Sequence, residues 1–114
     1  MPSNRAKGSY NKLKTRKWYE QDGYTVYDLE LKKSVWVKSR IIYTNCDTAG
    51  ADLLAMRAAI ADDPGEIIFI QCKSNSSDIS KATREFSRHP FPTFVKRHVV
   101  LWELRAREPK VIEL

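Results

Sequence analysis

Apolar and polar positions alternate at strand spacing over much of this chain and at helical spacing in two places. The clearest strand is EIIFIQCK, residues 66–73, a β-branched and aromatic run that follows the turn signal Pro64-Gly65. It ends unusually for a core strand, in Gln71, Cys72 and Lys73. Side chains two apart on a strand share a face, so Gln71 and Lys73 emerge together while Ile70 and Cys72 point the other way. Near the N-terminus, Asn11, Thr15, Trp18, Tyr19 and Asp22 trace one helical face, and Gly23 stands where a C-cap glycine belongs. NSSDISKATREFSRH, residues 75–89, predicts a second helix with a Ser or Asp cap, ended by Pro-Phe-Pro. Between the helices, YTVYDLEL and SVWVKSRIIYT read as β-rich, and TNCDTAGAD as a loop or the approach to a strand. LLAMRAAIADDPGE is helical by propensity, with a strand starting directly after Asp52 as the alternative. HVVLWELR and KVIEL close the chain as two strands around AREP. Helix, strands, helix and two strands predict an α/β or α+β domain with a central mixed sheet flanked by helices.

Length and charge narrow the classes. At 114 residues the chain is expected to form one domain, 1–114, with residues 1–8 as a basic N-terminal arm. Twenty Lys and Arg against 14 acids give a net charge of +6, which favours a polyanionic partner. The first 17 residues hold six basic side chains and no acid, the pattern of a phosphate-contacting clamp as well as of a solvated tail. Cys46 and Cys72 have neither CxxC spacing nor a companion His cluster, so reduced thiols are expected rather than a zinc site. No apolar stretch approaches the roughly 20 residues of a membrane span, and the first residues are polar and basic rather than signal-like. The expectation is a soluble protein of the cytoplasm, or of the host-cell cytoplasm for a viral chain, with no membrane partner.

The candidate chemistry gathers at Asp52, Gln71 and Lys73. A carboxylate at a strand end, followed about twenty residues later by a strand carrying an oxygen ligand and a lysine two apart, is a workable site for phosphodiester hydrolysis. Asp52 would hold Mg²⁺, Gln71 would offer its amide oxygen and Cys72 its backbone carbonyl, all hard oxygen ligands. Lys73 would orient the attacking water or stabilise charge growing on the phosphate. His89 and His98 have no nearby nucleophile pattern and read as structural or phosphate-contacting. Tyr10, Trp18 and Tyr19 read as core or rim. Each site residue also has a bland reading, Asp52 as a turn residue and Gln71 with Lys73 as the wet end of a strand.

GADLLAM followed by EIIFIQCKSN resembles the PD-(D/E)xK nuclease superfamily, with an Asp at a strand end and then (D/E)xK closing a neighbouring strand. The Gln form of the second motif is similar to that of the Mrr-like branch of restriction endonucleases. KGSYNKLKTRKWYEQDGYTV, a helix closing on Gly-aromatic before a strand, resembles the archaeal and phage Holliday-junction resolvases. The resemblance covers roughly residues 7–104. It implies a restriction-endonuclease-like fold, a homodimer, and a structure-selective, Mg²⁺-dependent endonuclease of branched DNA, with Mn²⁺ as substitute. Two departures stand out. Lys12 takes the place of the resolvase glutamate on the first helix, and Glu20, about 12 Å further along the axis, cannot replace it. Gln71 takes the place of an acid, which leaves Asp47 or Glu66 to help hold the metal. Arg5, Lys7, Lys12, Lys14 and Arg16 are expected to grip phosphates, with Lys81 and Arg84 extending the groove. The alternatives are a nuclease-fold DNA-binding protein without cleavage and a small RNA-binding protein of another kind.

Overall fold

A computed structural model describes the backbone of residues 4–29, 31–37, 40–46 and 49–114, and side chains over 10–29 and 49–114. Helix α1 (Asn4–Gln21) leads into β1 (Thr25–Asp28), a hairpin of β2 (Leu31–Val37) and β3 (Arg40–Cys46), then β4 (Leu53–Arg57) and β5 (Glu66–Lys73). A 3₁₀ turn (Ser76–Asp78) starts α2 (Ile79–Ser87), and β6 (Lys96–Leu101) and β7 (Lys110–Glu113) end the chain. Five strands form one sheet in the order β1-β4-β5-β6-β7. All neighbours are antiparallel except β5 and β6, which run parallel around α2. The α/β class and the central mixed sheet flanked by helices are as expected, and the architecture is compatible with a restriction-endonuclease-like fold. Among the described residues no helix is long and apolar enough to cross a membrane.

Each helix covers one face. Tyr19 of α1 packs with Val26, Leu53, Ala55, Ile68, Ile70, Val100 and Trp102. On the other face Ala82 and Phe86 of α2 pack with Ala51 and Val99, flanked by Phe69, Phe91 and Ile112. The face of α1 read from the sequence is the buried one at Asn11, Thr15 and Tyr19, whereas Asp22 is exposed. The helix closes in a Schellman turn: the amide of Gly23 donates to Glu20 at 3.1 Å and that of Tyr24 to Tyr19 at 3.2 Å. This puts Gly23 at φ 91°, a left-handed conformation that glycine adopts without a Cβ clash.

Three boundaries differ from the sequence reading. Helix α1 starts at Asn4, so residues 4–8 of the expected arm are its first turns; Arg5, Ala6 and Lys7 are good helix formers, and Gly8 costs only about 1 kcal/mol relative to alanine. LLAMR is the strand that starts directly after Asp52, the alternative to the helix its propensity favours, because pairing with β1 on one side and β5 on the other buries Leu53 and Ala55 against α1. Local propensity yields to that packing. SVWVKSRIIYT contributes to β2 and β3, registered from Leu31↔Cys46 to Val37↔Arg40, which among the described residues form a two-stranded sheet of their own.

Candidate active site at the end of the central strand

The segment before Asp52 is fixed by α2. Ala51 is fully buried in the cluster with Ala82 and Phe86, and Gly50 lies beside the Glu85 main chain, where a Cβ would make an ordinary contact of 3.5 Å with the carbonyl oxygen. Ala49 and Gly50 both have left-handed backbones, φ 53° and 78°, and bring the chain sharply into β4. Asp52 then ties two strands together as they part. Its amide donates to Ile70 O at 2.8 Å, and its carbonyl accepts from the Leu29 amide at 2.9 Å. Its carboxylate accepts from the Cys72 amide at 2.9 Å, so Asp52 and the QCK stretch are brought together.

Strand alternation sorts the rest. Ile70 O and Cys72 N face Asp52, whereas Lys73 O accepts from Trp102 N on β6. The carbonyl of a strand residue lies on the same edge as its amide, so that of Cys72 is directed toward Asp52. The Cys72 side chain turns to the α1 face, with Sγ 3.4 Å from Thr15 Oγ1. Gln71 turns to the α2 face and is only 2% exposed. Its Nε2 donates to Glu85 Oε2 at 2.6 Å, and its buried Oε1 accepts no hydrogen bond among the described residues. Lys73, half-buried, forms no ion pair among the described residues.

Lys12 belongs to the other face. Its Nζ donates to both carboxylate oxygens of Asp28 at 3.0 Å, one turn of α1 from Thr15. The resolvase glutamate position is therefore on the far side of the sheet from Gln71 and Lys73. Two further α1 cations are also engaged: Lys14 Nζ sits 4.3 Å from the Trp102 ring centroid and 4.7 Å from that of Tyr10, and Arg16 pairs with Glu20 at 3.0 Å. Lys81 and Arg84, by contrast, lie exposed on the outer side of α2, in a stripe continued by Arg88. The side chains of Arg5 and Lys7, and Asp47, lie outside the described residues.

Glu66 lies away from Asp52 and Gln71. It sits at the opposite end of β5, about 17 Å from Gln71 at the rise of a strand. There it is closed by Arg57 at 2.9 Å, Tyr24 at 2.9 Å and Lys96 at 3.3 Å, and the Arg57 guanidinium foremost holds its pKa below the usual glutamate value. His98 is structural, as its Nδ1 meets the Tyr19 hydroxyl at 2.7 Å. Burial lowers the pKa of His98 and raises that of Tyr19.

Among the described residues no three His, Cys, Asp or Glu side chains converge on one point. A divalent cation at Asp52 would therefore also use amide and main-chain oxygens. That hard donor set fits Mg²⁺, which binds few protein oxygens and keeps several waters, and the undonated oxygen of Gln71 is available to it. The residue that the sequence reading missed is Glu85. Its signal lay in the spacing: Ala82 and Phe86 mark the buried stripe of α2, and Glu85, three residues after Ala82, is at the edge of that stripe. Comparison of the chain with protein-family models, with curated proteins and with solved structures finds no match.

Proposed function

We propose that the chain is a divalent-metal-dependent DNA endonuclease, selective for branched DNA in the manner of a Holliday-junction resolvase. The observation that carries this reading is the meeting of Asp52 with the end of β5, where Gln71 and Lys73 share a face and the Asp52 carboxylate is fixed by the Cys72 amide. Asp52, Gln71 Oε1 and the Cys72 carbonyl would hold Mg²⁺ or Mn²⁺. The ion, when bound, supplies Lewis acidity to a phosphate oxygen and lowers the pKa of a coordinated water. Lys73, a half-buried ammonium beside that point, stabilises negative charge on the phosphate while water adds to phosphorus and the bond to the leaving sugar oxygen breaks. Lys81 and Arg84 would guide the phosphate backbone to the site. Residues 31–46 add four basic side chains and no acid. Symmetric cutting of a four-way junction requires two such sites related by a two-fold axis, hence a homodimer.

Two observations favour a second reading, a DNA-binding module on the same fold that no longer cleaves. Lys12 is closed onto Asp28 where a resolvase has a glutamate, and position 71 carries an amide. One experiment separates the two. Labelled four-way junction, duplex and single-stranded DNA are incubated with the protein in Mg²⁺, in Mn²⁺ and in EDTA, alongside Asp52→Asn and Lys73→Ala. The nuclease reading expects metal-dependent cutting of the junction and a loss of about 10²–10³-fold or more in either variant, of the order seen when a charge-stabilising group is removed. DNA affinity should hardly change. Junction binding without cutting under any metal makes the module the correct reading, and normal cutting by both variants removes the site assignment.

A further inference from the structure

We infer that Glu85 supplies, from α2, the carboxylate that the strand motif lacks, so that Asp52, Gln71 Oε1 and Glu85 together form the cation site. The inference rests on the nuclease reading and names a ligand which that reading does not contain. The contact between Gln71 Nε2 and Glu85 Oε2, at 2.6 Å, is short and charge-assisted, and it fixes the amide: the flipped orientation would press two oxygens together. Glu85 therefore determines where Gln71 Oε1 points. That oxygen belongs to a side chain 98% buried by its 2% exposure, and no donor among the described residues meets it. An acceptor buried in this way is costly unless another group meets it. A cation does so.

The amide at position 71 then has a physical reason. A glutamate there would set a second carboxylate against Glu85 at hydrogen-bond distance, and like charges so close cannot both ionise without a shared proton or cation. With glutamine on β5 and glutamate on α2, the site keeps two carboxylates, Asp52 and Glu85, and one neutral oxygen. The backbone supports their approach, since Gly50, two residues before Asp52, is packed against the Glu85 main chain. Glu85 also offsets the positive field of Lys73, Lys81, Arg84 and Arg88, which would otherwise repel a divalent ion.

The test is calorimetric titration of Mn²⁺ into the full chain, wild type and Glu85→Gln. The substituted amide still offers an oxygen to Gln71 Nε2, so the fold should persist by circular dichroism. Wild type is expected to bind one Mn²⁺ per chain and Glu85→Gln at least ten-fold more weakly. Equal affinity overturns the role of Glu85 and leaves the nuclease reading standing. No binding by wild type, with or without junction DNA, overturns both. A measurement that needs no substitution guards against a misfolded variant: in the wild-type chain the Glu85 side-chain carboxyl carbon resonance should move as Mg²⁺ is added. A resonance unmoved at saturation also overturns the assignment.

Discussion

On the α1 side of the strand end, the Thr15 hydroxyl accepts from Trp102 Nε1 at 2.8 Å, lies 3.4 Å from the Cys72 thiol, and donates to Asn11 O at 2.7 Å. Nearby, Lys12 is closed by Asp28. On the α2 side, two residues of the same strand behave differently: Gln71 buries an oxygen with no donor, and Lys73 has no carboxylate partner among the described residues. Buried polar groups are ordinarily paired, because leaving one unpaired costs more than a hydrogen bond returns. At the strand end the α1 face obeys that rule and reads as structure, although further back on β6 His98 Nε2, beside Tyr19, is also buried without a partner among the described residues. The α2 face breaks it beside a fixed carboxylate, where a ligand can complete the set. Neighbouring polar residues on one strand thus divide into scaffold and site according to whether their bonds are closed within the chain.

The division can be broken from the α1 side. Thr15→Val removes the acceptor of Trp102 Nε1 and leaves a buried donor unpaired, which should lower stability by about 1–3 kcal/mol in chemical denaturation. Junction cutting and metal affinity should stay at wild-type levels below the unfolding transition. A selective loss of metal binding in this variant would mean that the two faces are not separate. A smaller effect is expected from Lys12→Glu, which restores the acid of the resolvase helix. It exchanges an ion pair for two facing carboxylates, a surface change of about 1 kcal/mol or less in thermal unfolding. Because position 12 faces Asp28 across the sheet from Gln71, the added charge should not tighten Mg²⁺ binding measured by calorimetry. A clear gain in affinity would move the metal to the α1 face.

The strand end was legible in the sequence because strand alternation is strict: Gln71 and Lys73 had to share a face, and Cys72 had to take the other. Asp52 was legible from its spacing, a carboxylate about twenty residues ahead of the Gln71 and Lys73 pair. The α1 face was legible from helical spacing, down to Gly23. What stayed hidden depended on packing between distant segments. LLAMR has helical propensity, and only its two neighbours in the sheet make it β4. Glu66 read as a possible metal helper because sequence distance does not show that it lies at the opposite end of β5 within a cluster of Arg57, Tyr24 and Lys96. Lys14 read as a phosphate contact, although its ammonium rests on the rings of Tyr10 and Trp102, the latter 88 positions away by the numbering. Helical spacing puts Glu85 at the edge of the buried stripe of α2, but its meeting with Gln71 stayed hidden for the same reason, because it depends on how α2 crosses the sheet.

The central claim is that a cation binds on the α2 face of the strand end, and magnetic resonance of the ¹⁵N-labelled wild-type chain during a Mg²⁺ titration tests it most directly. The side-chain amide of Gln71 and the backbone amide of Cys72, which is bonded to Asp52, report on one face; the indole N–H of Trp102, bonded to Thr15, reports on the other. A saturable shift of the Gln71 and Cys72 signals with the Trp102 signal unmoved is the expected result. Shifts confined to the α1 side, or none at any Mg²⁺ concentration, would contradict it.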